Sequence, residues 1–320
     1  MPTSRSKPRF APRRRARVPL PVLEALMVLA WSSGFVGMRF SADYAPVFLV
    51  ILWRLVALVL LLFPLVAREI RHAPWPLLIR QSLVGVLAVA GYLAGVSKGI
   101  EAGVPTGLAA LVADLVPAGT VLIASCIFRQ RNPAGVWGGL ALGLAGTLLV
   151  CRDVITVGSA PAWAYVLPVA GMMSLALATV WQQRSSPGQS GLSPLAMLWL
   201  QSLVSCPVFA GLQAAQGSVW PIPSGGFAAS VAWTAVFATL GGYGLYWACL
   251  RRSSPARVTG VLFLSPPVTL VWAWAMFGEP LSWTILAGTA ISGSGVWFMR
   301  AGEGGGRSPL RQARQSQGQV

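Results

Sequence analysis

The chain is short of charge. Only 10% of its 320 residues are charged, and eight of those are acidic. A soluble domain carries about 25% charged residues, so this sequence cannot clothe a water-facing surface of its size. Histidine is scarcer still, with His72 the single one. One imidazole and a few scattered cysteines cannot furnish a zinc or haem site with its usual ligands, nor the base that a nucleophilic serine needs. The four cysteines, Cys126, Cys151, Cys206 and Cys249, show no CxxC spacing. They read as small buried hydrophobes, so neither disulfide nor metal is implied. No P-loop for ATP is present, and no cofactor is called for.

What is present is apolar. Hydrophobic residues make up 55% of the chain, in uncharged runs recurring from Val22 to Met299. Each run approaches the ~20 residues that a helix needs to cross ~30 Å of hydrocarbon. The runs are too long, and lack the period-2 alternation, for a transmembrane barrel. The expected fold is therefore an all-α polytopic membrane protein. Its ten transmembrane helices fall near 22–39, 46–67, 77–96, 104–128, 134–151, 162–182, 195–213, 227–249, 256–277 and 281–299.

The formal net charge of +16 invites a nucleic-acid reading, which requires basic residues gathered on one folded face. They are distributed otherwise. With the N-terminus inside, every basic residue except Arg39, Arg54, Lys98 and Arg152 falls on an inner segment. This is the positive-inside rule; the charge orients the protein in a membrane and implies no nucleic-acid partner. The basic N-terminus resembles a signal peptide's n-region, but the first apolar run has no small-residue cleavage site and continues into a full span. A retained first helix is expected, with both termini cytoplasmic.

Residues 1–21, rich in Pro and Arg, and 300–320, rich in Gly, Arg, Gln and Ser, bury too little to fold and are expected to be disordered tails. Between them lie a first five-helix unit (22–151), an outer linker (152–161) and a second five-helix unit (162–299). A shift of 149 residues places Leu115 on Leu264, Pro117 on Pro266, Thr120 on Thr269, Gly139 on Gly288 and Gly146 on Gly295. Five spans per half is odd, so the second half enters the membrane from the opposite side. That is an inverted-topology repeat, the plan of many secondary transporters.

Three stretches carry a family resemblance: LAWSSGFVGMRF (29–40), LWRLVAL around Arg54, and LSPPVTLVWAWAMFGEPLSWTILAGTAISGSGVWF (264–298). Over residues 22–300 the chain resembles the EamA-like family of the drug/metabolite transporter superfamily. The resemblance implies ten helices in two repeats, cytoplasmic termini and movement of small metabolites. In the first half, the family's Gly-Glu step is replaced by Arg129-Gln130, so any role of that glutamate rests on Glu279 alone.

Several residues are candidates for chemistry. Asp114 lies about ten residues into the fourth span, roughly 15 Å deep. A charge there costs at least ~2.5–3.5 kcal/mol, so it faces a partner or water. It either binds a substrate cation or a proton, or locks helices together as an ion pair. Arg54, about 12 Å deep in the second span, pairs with Asp114, grips a substrate carboxylate, or snorkels to the interface. Pro117 and Pro266 break their helices and free carbonyls, for a ligand or simply for a kink. Trp31, Tyr92 and Tyr243 are candidates for an aromatic cavity wall. The glycines of spans five and ten, including the SGSG of 292–295, read as close helix packing.

The expected function is secondary transport, export in particular, of a small organic metabolite such as an amino acid, amine or drug-like solute, by alternating access. The alternative is a lipid-handling protein, a flippase or a lipid-modifying enzyme. The expected partners are the solute and membrane lipids. Coupling to protons and a homodimer are both left open. The expected location is the inner (plasma) membrane of a bacterium.

Overall fold

A computed structural model of the chain describes residues 18–127, 129, 133–157, 160–185, 191–250, 252, 258, 261–262, 264–279 and 281–305. Nearly all of the basic tail, most of the C-terminal tail and part of the outer linker lie outside the described residues. Among the described residues every regular element is helical: α1 (Leu20–Ala42), α2 (Val47–His72), α3 (Trp75–Glu101), α4 (Thr106–Ala113), α5 (Val116–Cys126), α6 (Ala134–Val157), α7 (Val166–Ser185), α8 (Pro194–Ala214), α9 (Gly225–Cys249), α10 (Ser265–Phe277) and α11 (Trp283–Gly305).

Among the described residues six helices are long and apolar enough to cross a bilayer: α1, α2, α3, α7 with the turn before it, α8 and α9. The bent pair α4–α5 makes a seventh if it is one span. Their outward faces suit lipid. Leu60, Leu61, Phe63 and Leu65 of α2 are all exposed, as are Trp163, Trp220 and Trp283, an apolar surface that water would not tolerate on a monomer. Proline sets many of the starts: Pro19, Pro46, Pro74 and Pro105 precede α1, α2, α3 and α4, and Pro194 opens α8. A missing N–H and a fixed φ suit a first helical turn.

The fourth expected span, 104–128, is not one continuous helix. It breaks at Asp114–Leu115, and its halves diverge by 41°. The cause is Pro117, whose ring excludes the carbonyl of Ala113 and whose nitrogen cannot bond it. α4 therefore ends at Ala113, and α5 restarts with the Gly119 N–H donating to the Leu115 carbonyl at 3.0 Å. Pro266 produces the same event before α10. Leu115 (φ −78°, ψ 8°) and Leu264 (φ −79°, ψ −6°) take nearly equal dihedrals. Leu115 N–H bonds Val112 O at 3.1 Å and Leu264 N–H bonds Val261 O at 3.0 Å. Val268 N–H then bonds Leu264 O at 3.1 Å, as Gly119 does to Leu115.

Two further irregularities matter for the site. α3 and α9 each contain a π-helical stretch, Val86–Gly91 and Trp233–Gly241, ending just before Tyr92 and Gly242-Tyr243. α3 packs on α7 with almost no side chain between them. A Cβ on Gly95 would strike the backbone of Leu167 and Gly171, and one on Gly171 would meet the Tyr92 carbonyl.

Candidate functional site

Trp31 of α1, Arg54 of α2, Tyr92 of α3 and Tyr243 of α9 line one cavity of about 130 Å³. That is near the ~150 Å³ known to accept a benzene-sized solute. Trp31 and Tyr243 form part of its wall as an aromatic pair, with ring centroids 5.9 Å apart. Leu55, Val89 and Leu198 add apolar surface, and Ser97, Ser202 and Thr239 add hydroxyls. The close α3–α7 contact at Gly95 and Gly171 fixes the height of Tyr92, and the π turns redirect Tyr92 and Tyr243 from where regular helices would point them. π turns often mark functional positions.

Arg54 is the charged member of this wall. It is only 6% exposed, and its Nε has no hydrogen-bond partner among the described residues. Tyr92 and Tyr243 flank the guanidinium closely enough to interact with its charge. The Ser97 and Ser202 hydroxyls are likewise buried without partners among the described residues. A buried cation without a counter-charge is costly, and guanidinium presents five donors in a planar fork that matches a carboxylate. The cavity thus combines an unspent carboxylate-shaped donor set, spare hydroxyls and an aromatic wall, a few polar groups in an apolar pocket.

Asp114 lies elsewhere. It faces a second, much smaller cavity with Leu111, Leu115, Pro266, Thr289, Ser292 and Gly293. Among the described residues no ion pair joins it to Arg54. Depth along the membrane normal placed the two at compatible heights, but the helices present them to different spaces. Pro117 and Pro266 sit at the two helix breaks, with Pro266 on the wall of the smaller cavity.

Glu279 caps a helix. Gly278, at φ 65°, ends α10 in the left-handed region, where glycine carries no penalty. The chain then turns so that the Glu279 carboxylate accepts the Thr106 backbone N–H at 2.8 Å and its hydroxyl at 2.5 Å, closing the N-terminus of α4. Glu101 accepts the Val47 N–H at the start of α2 at 2.9 Å. Glu69 takes the Ser193 N–H, and its hydroxyl at 2.6 Å, before α8. Ser97, Ser202, Thr239, Thr289 and Ser292 line the two cavities without having been singled out as candidates in the sequence.

A helical protein with an apolar exterior suited to lipid and a mostly apolar cavity carrying a few polar groups among its helices has the plan of a membrane transport protein. The sequence model of the EamA-like transporter family matches the chain twice, over residues 22–152 and 162–301; the chain belongs to that family. It is similar to the "Uncharacterized inner membrane transporter YedA" of Escherichia coli (strain K12), 28% identical over 84% of this chain and 87% of that one. A "Probable amino-acid metabolite efflux pump" of Salmonella typhimurium is 26% identical over 86% and 93%. A "Probable terminal-alkyne amino-acid exporter" of Streptantibioticus cattleyicolor is 28% identical over 86% and 91%. A solved crystal structure superposes with a TM-score of 0.58 at 18% identity, over 87% of this chain and 95% of that one, and shares its fold.

Proposed function

We propose that this protein is a secondary carrier exporting a small organic carboxylate, amino-acid-like in size, across a bacterial inner membrane. It works by alternating access of two inverted five-helix repeats, ten helices in all, with both termini cytoplasmic. The observation that carries the substrate class is Arg54, a buried guanidinium with no acidic partner among the described residues, on the wall of a small aromatic cavity. A solute carboxylate completes it, and the Ser97 and Ser202 hydroxyls share the load. Amino-acid substrates in the names of two relatives agree with this chemistry.

Several independent features support the repeat. The two helix breaks share dihedrals and hydrogen bonds at the 149-residue shift, and the family model matches each half once. The α6–α11 contact is reciprocal: a Cβ on Gly146 would meet Gly288 and Ser292, and one on Gly295 would meet Gly139 and Gly143. Those are the same contacts with the repeats exchanged, as a two-fold axis requires. The side assignment has support too. Arg39 stacks 5.0 Å over the Phe277 ring on the face where Glu279 meets Thr106. On the other face Arg252 bonds the Val18 carbonyl at 2.9 Å.

The test is transport by the full chain in proteoliposomes, with and without a pH gradient, across labelled amino acids, amines and nucleosides. Carboxylate-bearing solutes should move and their decarboxylated counterparts should not. Arg54→Gln should cut that transport by about tenfold to a hundredfold, the worth of a hydrogen-bonded charge. Lipid scrambling without movement of any solute would replace this reading with a lipid-handling one.

A further inference from the structure

The smaller cavity has a chemistry of its own. It lies where the α4–α5 break meets the start of α10 and the middle of α11, and its volume is about 10 Å³, room for roughly one water-sized particle. Its polar lining is Asp114, Thr289 and Ser292. The Thr289 hydroxyl donates to the Ile285 carbonyl at 2.7 Å, so its proton is spent. The Thr147 hydroxyl donates to the Gly143 carbonyl at 3.0 Å. The 3.2 Å contact between Thr147 Oγ1 and Ser292 Oγ therefore uses the proton of Ser292. Both hydroxyls have only lone pairs left to turn toward the cavity, and an ionised carboxylate has nothing else.

Among the described residues, a one-particle space lined by a carboxylate and by two hydroxyls whose protons are already used favours a cation. We infer that it is a binding site for a single monovalent cation, Na⁺ or a proton carried on Asp114, distinct from the solute cavity around Arg54. One carboxylate matches one charge; divalent ions are held by more oxygens and usually more carboxylates. Among the described residues no cluster of three His, Cys, Asp or Glu exists to hold a metal.

The inference rests on the transport reading for its purpose: a cation bound here, at the junction of the two broken helices, couples ion movement to the solute cycle. Tyr92 lines the solute cavity and is close enough to feel the charges of both Asp114 and Arg54. It is the titratable group that α3 brings to Asp114. α10 and α11 present Pro266, Thr289, Ser292 and Gly293, none of which titrates. α1, α6 and α7 also pack on α4, and carry their charged residues toward their ends: Glu24 and Arg39, Arg152 and Asp153, and Arg184.

The experiment needs no knowledge of the solute. Purified full-length protein is melted, with tryptophan fluorescence as readout, in NaCl against choline chloride at constant ionic strength and across pH 5 to 9 (on the order of the range in which a perturbed carboxyl titrates). A cation that binds only the folded state raises Tm as its concentration rises. A sodium site gives a Tm that climbs with NaCl but not choline chloride. A proton site gives no sodium response and a pH dependence that Asp114→Asn removes. Ser292→Ala and Thr289→Val keep the carboxylate and remove one lining oxygen each, and should weaken sodium binding by about tenfold or more, which covers the case that Asp114→Asn does not fold. For a proton site, these two variants should displace the pH midpoint. A Tm insensitive to both ions, or a response that all three variants leave unchanged, overturns the site. Arg54→Gln should retain the cation response while losing carboxylate transport. A cation response that persists where no carboxylate is ever moved would defeat the proposed solute and leave this site standing.

Discussion

Glu279 and Thr106 are joined twice, the carboxylate taking both the backbone N–H and the hydroxyl of the threonine at 2.8 and 2.5 Å. The bond ties the turn after α10 to the start of α4, which is only eight residues long and ends at Ala113, just before Asp114. An anion at a helix N-terminus satisfies orphan donors and meets the positive end of the dipole.

Removing either partner should therefore loosen the same contact. Glu279→Ala and Thr106→Val should each destabilise the protein by about 1–3 kcal/mol, the value of a charge-assisted hydrogen bond. The double variant should cost much less than their sum. Thermal melts of the four proteins in one detergent give the coupling; strict additivity would show that the contact is not formed.

The all-helical, membrane-spanning character of this fold was legible because lipid leaves a strong mark in long apolar runs; six of the ten expected spans, and a seventh if the bent pair α4–α5 is one, appear among the described residues as helices long and apolar enough to cross. The break at Asp114–Leu115 followed from Pro117. The orientation of Asp114 did not follow, because rise per residue gives a height and not a direction, so a pairing with Arg54 looked feasible at equal depth. Trp31, Tyr92 and Tyr243 were candidates for one aromatic wall from the sequence, and they do line one cavity; how each ring enters it was not legible. The π stretches Val86–Gly91 and Trp233–Gly241 shift the register just before Tyr92 and Tyr243, and no hydropathy pattern records that shift. The hydroxyls of Ser97 and Ser202 were invisible for another reason. A serine in an apolar helix commonly bonds its own preceding turn, as Ser205 does to Gln201 and Ser125 to Val121, and sequence does not tell which serines decline to.

Arg129 offers a stabilising change. It has φ 52°, a left-handed conformation, and the 149-residue shift aligns it with Gly278, at φ 65°. The first half keeps the turn while lacking the glycine that suits it. Left-handed backbone costs a non-glycine residue about 1–2 kcal/mol, partly offset because glycine loses more entropy on folding. Arg129→Gly should raise stability by about 1 kcal/mol or slightly less, read as a rise in Tm. Gly278→Arg, placing the same strain in the second half, should lower it. A fall in Tm for Arg129→Gly would mean that the arginine side chain contributes more than its backbone costs.

Aromatic packing beside Arg54 gives a prediction about selectivity. Trp31 and Tyr243 pack tilted against each other within the cavity wall, centroids 5.9 Å apart, so widening the space there should alter which solutes fit without removing the carboxylate anchor. Trp31→Phe or Trp31→Leu should shift transport toward bulkier carboxylates, with the ratio between a large and a small amino acid changing by about tenfold, the usual worth of one or two methylenes in an apolar pocket. Competition between two labelled amino acids in the same proteoliposomes measures that ratio directly. An equal loss for both would indicate a damaged fold instead of a reshaped wall.

The final prediction concerns the seam between α6 and α11. At Gly146 an added Cβ would collide with the backbone of Ser292 and Gly288, and at Gly295 with that of Gly143 and Gly139. Backbone cannot step aside as a flexible side chain can, so even one methyl group must push the helices apart along their length. Gly146→Ala and Gly295→Ala should each cost about 1–3 kcal/mol, the range for overpacking a well-packed contact. Gly138, on the same α6, has nothing within 4 Å of its would-be Cβ. There alanine should be neutral or stabilising by about 0.5–1 kcal/mol through helix propensity alone. The comparison separates packing from propensity, since all three changes are Gly→Ala within helices. It also tests the two-fold relation. If Gly146 and Gly295 are equivalent positions of two repeats, their costs should agree to within about 0.5 kcal/mol, the scatter between independent sites. A large penalty at one with none at the other would leave the seam as ordinary helix packing without repeat symmetry.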